Sequence, residues 1–337
     1  MRLSQKPFQL ARWVAVSASI LAASILGVCS AGAEDVDALL RAMTVEQKVS
    51  FLVGASDPES LGQAGYIPGV PDLGIPPLRL TDGPAGVRVR ATATAMPAPV
   101  ALAATFDPGR ARRFGEVIGR EGRALRQDVL LSPMVNLVRV PQAGRNFETL
   151  GEDPLLASQL AEEEFSGIQG AGLIATIKHF VLNNQEYERH SVNANIDEQP
   201  LHELYLPTFA GAIRGGAGAV MCSYNRVRGK WACDSAEVMT DMLRVQLGFE
   251  GWVMTDWGAT HTLGALEAGL DQEMPGWRGR DQVFASELLE AAKSGAVPMF
   301  AVDRAVHRIL EQMERVGLLG QTPPPRPTLD VEADAAV

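Results

Sequence analysis

Charged and aromatic side chains recur in this chain immediately after short apolar runs, where a parallel sheet would hand residues to a ligand. Asp82 follows Leu78-Arg79-Leu80-Thr81, and Arg145 and Glu148 lie in Gly144-Arg145-Asn146-Phe147-Glu148. Lys178-His179, Tyr224-Asn225 and Asp256-Trp257 each close a further run. Carboxylates and cations together can bind many hydroxyls at once, and an aromatic such as Trp257 offers a flat apolar face. A sugar ring presents both kinds of surface. Serine-hydrolase chemistry finds no support, because no G-x-S-x-G elbow occurs. His202-Glu203 begins a zinc-binding pattern, but Leu206 stands where the second histidine must be, and there is no CxxC. Neither a metal nor a cofactor is therefore expected. Each residue alone has a plainer use: Asp82 in a turn, Asp256 as a helix cap, Arg145 with Glu148 as an ion pair, Lys178 with His179 as an interior pair. Their convergence on one rim is what those uses do not explain.

Elements able to position such a set follow from the apolar pattern. Strand-like runs occur at 77–80, 100–104, 129–131, 174–177, 219–222, 252–255 and 270–272. An amphipathic helix is expected over 35–53, and others open at Asp107-Pro108 and Asp153-Pro154, an acceptor cap followed by proline. Further helices are expected at 201–214, 236–247, 282–293 and 303–316. Continuous apolar strands alternating with helices indicate an α/β protein whose parallel sheet is covered on both faces. The unbroken series favours a (β/α)8 TIM-type barrel, irregular in places, over residues 34–320.

Composition bounds the partners. With 337 residues, 46% of them hydrophobic, the chain can build a large core. A net charge of −10 argues against nucleic acid, whose binders need a basic face. Residues 1–33 read as a cleavable export signal: Arg2, Lys6 and Arg12 precede an uncharged run, and Ala31-Gly32-Ala33 offers the cleavage site. Cys29 follows the bulky Val28, so no lipid anchor is expected. The mature protein is expected in the periplasm or secreted, with no stable membrane insertion. In that compartment a disulfide between Cys222 and Cys233 is expected, the alternative being two reduced cysteines. Residues 321–337 start with a proline-rich linker, which implies either a tail that packs back or a further domain.

These stretches resemble the amino-terminal domain of the family 3 glycoside hydrolases, which include many bacterial and fungal β-glucosidases. RLTDGPAGVR (79–88), GRNFETLGEDP (144–154), KHFVLNNQEYERHSVNANIDE (178–198), ELYLPTFAGAI (203–213), MCSYNRVRGKWACD (221–234) and GFEGWVMTDWGA (248–259) stand in family order. The resemblance implies a retaining exo-acting hydrolase of terminal β-glucosyl residues, with Asp256 as nucleophile. It implies a sugar pocket of Asp82, Arg145, Lys178, His179, Arg189 and Tyr224. Lys178 or Arg145 nearby is expected to lower the pKa of Asp256 and keep it ionised. The family's acid/base glutamate is carried by a second, C-terminal α/β domain, absent from this sequence. Single-domain β-N-acetylhexosaminidases of the family use instead a histidine in a KHFPGHG loop, and this chain reads Lys178-His179-Phe180-Val181-Leu182-Asn183-Asn184 there. His190 and Glu186 are the nearby substitutes. Three readings follow: a β-glucosidase barrel whose acid/base comes from another domain or chain, a glycan-binding pseudoenzyme, or a single-domain hexosaminidase.

Overall fold

The computed structural model describes residues 35–275, 282–320 and 325–336. The expected export segment 1–33 and the start of the proline-rich stretch lie outside them. In chain order the strands are β1 (Gly65–Ile67), β2 (Leu78–Asp82), β3 (Val129–Leu131), β4 (Ile174–Phe180), β5 (Asn193–Ala194), β6 (Ala219–Cys222), β7 (Arg226–Val227), β8 (Lys230–Trp231) and β9 (Trp252–Thr255). A curled six-stranded sheet runs β1-β2-β3-β4-β6-β9, and β5-β7-β8 form a small separate sheet. From β2 to β9 the main sheet is parallel; β1 joins β2 antiparallel. Every residue of β4, β6 and β9 is buried, as strands covered on both faces must be.

Caps visible in the sequence fix the long helices. Asp107 accepts from the amides of Gly109 and Arg110 to open Pro108–Ala124, and Asp153 accepts from Leu155 and Leu156 to open Pro154–Gly170. Phe180, at the end of β4, meets Phe209 of helix Leu206–Arg214 edge-on at 4.9 Å. An aromatic pair of this kind contributes about 0.5–1.5 kcal/mol beyond its burial and holds the strand end in place.

Among the described residues the main sheet is a six-stranded curl, the α/β arrangement expected. The structure corrects three expectations. Residues 100–104 belong to helix Pro99–Ala103, where proline supplies the first helical position and alanines favour the helix. The run at 270–272 makes only an isolated bridge from Gln272 to Met254, because the Asp271 carboxylate takes the amide of Val253 at 2.8 Å in place of a ladder carbonyl. The helix expected at 35–53 is two, Val36–Ala42 and Val45–Phe51. Thr44 and Gln47 form a reciprocal capping box, and the cap's extended backbone interrupts the first helix. At the far end the tail packs back: Arg326 donates to the carbonyls of Arg123 and Gln127 and to Asp128, and buried Asp334 pairs with Arg120. No helix among the described residues is long and apolar enough to cross a membrane.

Candidate active site

The carboxyl ends of the parallel strands converge on a cavity of about 770 Å³. Ligands of such sheets bind at that end, where loops are free to vary. Asp82, Arg145, Lys178, His179, Arg189, Tyr224, Asp256 and Trp257 all line it. Asp82 ends β2, and Lys178 and His179 fall near the end of β4. The β4–β6 ladder shifts register between Lys178 and Phe180. An unshifted strand would send neighbouring side chains to opposite faces, whereas the shift brings both to the cavity. Gly144, at φ 98°, makes the turn that delivers Arg145; Glu186 fills the space where a Cβ would sit.

The ionic groups are interlocked. Lys178 Nζ lies 3.5 Å from one oxygen of Asp82, and Arg88 lies 3.5 Å from the other. Arg145 pairs with Glu148 through a short contact, reaches Glu186 at 3.7 Å, and stands 3.4 Å from His179 Nε2. Burial would pull the Arg145 pKa down, yet Glu148, Glu186 and Asp256 hold it above its ordinary value. Arg189 bonds Glu186 at 2.8 Å and lies over the Tyr224 ring at 4.7 Å.

Asp256 sits at the centre. Its amide donates to the Cys222 carbonyl at 3.1 Å, and its Oδ1 accepts from the Trp257 amide at 2.8 Å. Its Oδ2 is buried without a hydrogen-bond partner among the described residues. Burial raises the pKa of Asp256; Tyr224, the Trp257 amide, Arg189 and Lys178 oppose the rise without cancelling it. The expected lowering is thus overturned, because desolvation of a carboxylate outweighs its neighbours here. His179 Nε2 approaches Oδ2 at 3.5 Å, but burial and then Arg145, Lys178 and Arg189 push the His179 pKa well below its ordinary value. The ring is neutral near pH 7, so this contact is not an ion pair. The Tyr224 hydroxyl donates to the Trp257 carbonyl at 3.2 Å, and burial with the nearby Asp256 charge keeps it protonated. Cys222 and Cys233 are joined in a disulfide, Cα atoms 5.4 Å apart, that spans the segment carrying Tyr224.

Sequence reasoning missed Gln63 and Phe147 on the cavity wall and Asn136 behind it. Gln63 precedes a three-residue strand in a glycine- and proline-rich stretch, which carries no periodic signal. Of the proposed proton-shuttle substitutes, Glu186 lines the cavity tied to both arginines, whereas His190 packs on the Tyr224 ring at 4.1 Å. Among the described residues no group of three His, Cys, Asp or Glu is placed to hold a metal.

Residues 70–312 match the family model described as the glycosyl hydrolase family 3 N terminal domain. A β-glucosidase of Rhizobium radiobacter is 38% identical over 86% of this chain and 35% of its own length. A probable β-glucosidase A of Aspergillus terreus is 39% identical over 82% of this chain and 34% of its own. Among solved structures, DesR, a β-glucosidase of Streptomyces venezuelae in complex with D-glucose, superposes with a TM-score of 0.86 at 48% identity, covering 90% of this chain and 40% of that one. β-Glucosidase 3B of Thermotoga neapolitana gives 0.83 at 34% identity, covering 90% and 46%. The chain spans about a third of the length of these curated relatives.

Proposed function

Since the chain belongs to glycosyl hydrolase family 3, we propose that its cavity is the glucose-binding site of a retaining, exo-acting β-glucosidase. The observation that carries this reading is Asp256: a buried carboxylate on the cavity wall with one oxygen held by the Trp257 amide and the other without a hydrogen-bond partner among the described residues. A retaining mechanism needs such an oxygen. Oδ2 attacks the anomeric carbon, the bond to the aglycone oxygen breaks, and a glycosyl-aspartate forms. Water then attacks the same carbon, releasing the sugar and restoring the carboxylate. A raised pKa suits the task, because a poorly solvated carboxylate is more basic and more reactive once ionised. Lys178 and Arg189 supply the compensating positive charge.

The other groups bind. Asp82 accepts from two sugar hydroxyls, Arg145 and Lys178 donate, and Trp257 gives the ring's C–H face an apolar platform. Asp82, Arg145, Lys178 and Arg189 are already paired within the cavity, which suits a neutral sugar better than a charged one. Glu148 and Glu186 are each ion-paired with an arginine, so we assign the acid/base to a carboxylate from a further domain or chain, as the family resemblance implies. We read the fold around the site as an irregular barrel. Backbone bonds from Glu273 to Leu52, Gly54 to Glu273 and Ala55 to Tyr66 link the segment after β9 toward β1 and support that reading. Residues 34–320 form this domain, the described part of 321–337 folds back on it through Arg326 and Asp334, and residues 1–33 direct export to the periplasm or medium.

A panel of nitrophenyl glycosides tests the assignment. Phenol release from the β-glucoside, above that from the β-xyloside and the N-acetyl-β-glucosaminide, is expected. Release mainly from the N-acetyl sugar would instead favour the hexosaminidase reading. Glucose binding without phenol release from any member would leave a glycan-binding pseudoenzyme.

A further inference from the structure

His179 is held by a residue that never reaches the cavity. Asn136, in the segment after β3, is buried at 4% exposure. Its Oδ1 accepts the His179 backbone amide at 2.8 Å and faces the ring Nδ1 at 3.1 Å; its Nδ2 donates to the His179 carbonyl at 2.9 Å. Both hydrogens and the oxygen of an amide are assigned by this arrangement, because the amide of His179 can only donate and its carbonyl can only accept. Oδ1 is therefore an acceptor, and the nitrogen facing it must carry the ring proton. On the other side Nε2 meets Arg145 Nη1 at 3.4 Å, a group that can only donate.

We infer that Asn136 is a positioning residue that locks His179 in the neutral Nδ1–H form, so that Nε2 faces Asp256 as an acceptor and not as a donor. The consequence falls on Asp256, and it rests on the nucleophile reading above. Nε2 lies 3.5 Å from Oδ2. In the opposite tautomer, or with both nitrogens protonated, Nε2–H would point at the attacking oxygen and occupy its lone pair. In the locked form Nε2 accepts from Arg145, and Oδ2 keeps its electrons for carbon. The charged groups facing the ring are Arg145 from the 144–148 turn, Lys178 beside it on β4, Arg189 from the following loop and Asp256 after β9. Three cations against one carboxylate reinforce neutrality.

The test has an arm that needs no activity. Nitrogen-15 NMR of the protein, labelled at its five histidines and assigned with a His179→Gln control, reads the tautomer directly. A protonated Nδ1 with an unprotonated Nε2 is expected from pH 6 to 8; a protonated Nε2 overturns the inference, whatever the enzyme hydrolyses. The second arm is Asn136→Asp, which keeps the acceptor at Nδ1 but adds a charge. An opposite charge at this range raises a histidine pKa by about one to three units. The His179 titration followed by nitrogen-15 NMR should move up by at least about one pH unit in this variant, while KM for a nitrophenyl glucoside at the alkaline plateau stays within threefold. A His179 titration unchanged by Asn136→Asp would mean that Asn136 merely supports the fold, and would overturn the positioning role. If wild type hydrolyses no glucoside while the tautomer is as stated, the nucleophile reading fails and the lock stands.

Discussion

Arg145→Met tests whether the cavity wall is held by charge pairing or by packing. Methionine keeps much of the side-chain length and removes the guanidinium. The Arg145 side chain is 21% exposed, Glu148 14% and Glu186 32%. Breaking a fully buried pair costs about 3–5 kcal/mol and an exposed one about 0–1 kcal/mol. Glu148, nearer the buried limit, loses its main partner; Glu186 keeps Arg189 at 2.8 Å. The expected destabilisation is about 2 kcal/mol, lowering Tm by roughly 3 °C at this chain size. Urea unfolding of wild type, Arg145→Met, Glu148→Gln and the double variant measures it as a cycle. If the cost is the stranded Glu148 charge, Glu148→Gln in the Arg145→Met background should return about 1 kcal/mol, whereas in wild type it should destabilise. Additive single effects, or an Arg145→Met within about 0.5 kcal/mol of wild type, would refute the pairing account. Loss of kcat/KM for glucosides is expected in every variant lacking Arg145.

Three other outcomes follow. Glu164 is fully buried with Ser132 as its one hydrogen-bond partner among the described residues, and burial pushes its pKa up to about 8. A native pKa above the unfolded value means stability is present below about 4.5 and is lost by roughly 1.4 kcal/mol per unit as pH rises toward 8. Glu164→Gln, which mimics the protonated acid, should flatten that slope in urea titrations at pH 5 to 8. Reduction of Cys222–Cys233 should cost about 2–3 kcal/mol and raise KM for glucosides by loosening Tyr224, and thiol titration of unreduced denatured protein should find neither cysteine free. Asp271, fully buried between Arg244 at 2.7 Å and Arg308 at 2.8 Å, should destabilise by about 3–5 kcal/mol as Asp271→Ala, because two guanidinium groups lose their counter-charge.

Much of this was legible in the sequence because buried parallel strands leave unbroken apolar runs. The strands β3, β4, β6 and β9 stand where such runs lie, and the chemical residues follow them. Caps were equally plain at Asp107 and Asp153, whose side chains act within three residues of themselves. What escaped depends on distant partners. β1 is three residues long and gains its pairing from β2, and β5, β7 and β8 are two residues each. Residues 270–272 look like a strand, yet a side-chain carboxylate breaks the ladder. Thr44-x-x-Gln47 was a readable capping box, and a longer apolar periodicity across it hid the stop. Asn136 carries no signal at all, since its meaning lies in His179, far along the chain. The sign of the Asp256 shift was also out of reach: neighbouring charges can be guessed from motifs, but the depth of burial that outweighs them cannot.

Attack by Asp256 Oδ2 on the anomeric carbon leaves a covalent adduct that can be located by mass. A dinitrophenyl glucoside has a leaving group stable without protonation, so the first step proceeds with no acid while the second still needs a base. Incubated with this chain, it should release a burst near one phenol per protein, followed by slow turnover that azide accelerates. Intact mass should rise by one hexosyl group, and peptide mapping should place it on Asp256. Asp256→Ala should show neither burst nor adduct. A hexosyl group on any other residue, or steady rapid turnover retained by Asp256→Ala, would contradict the assignment.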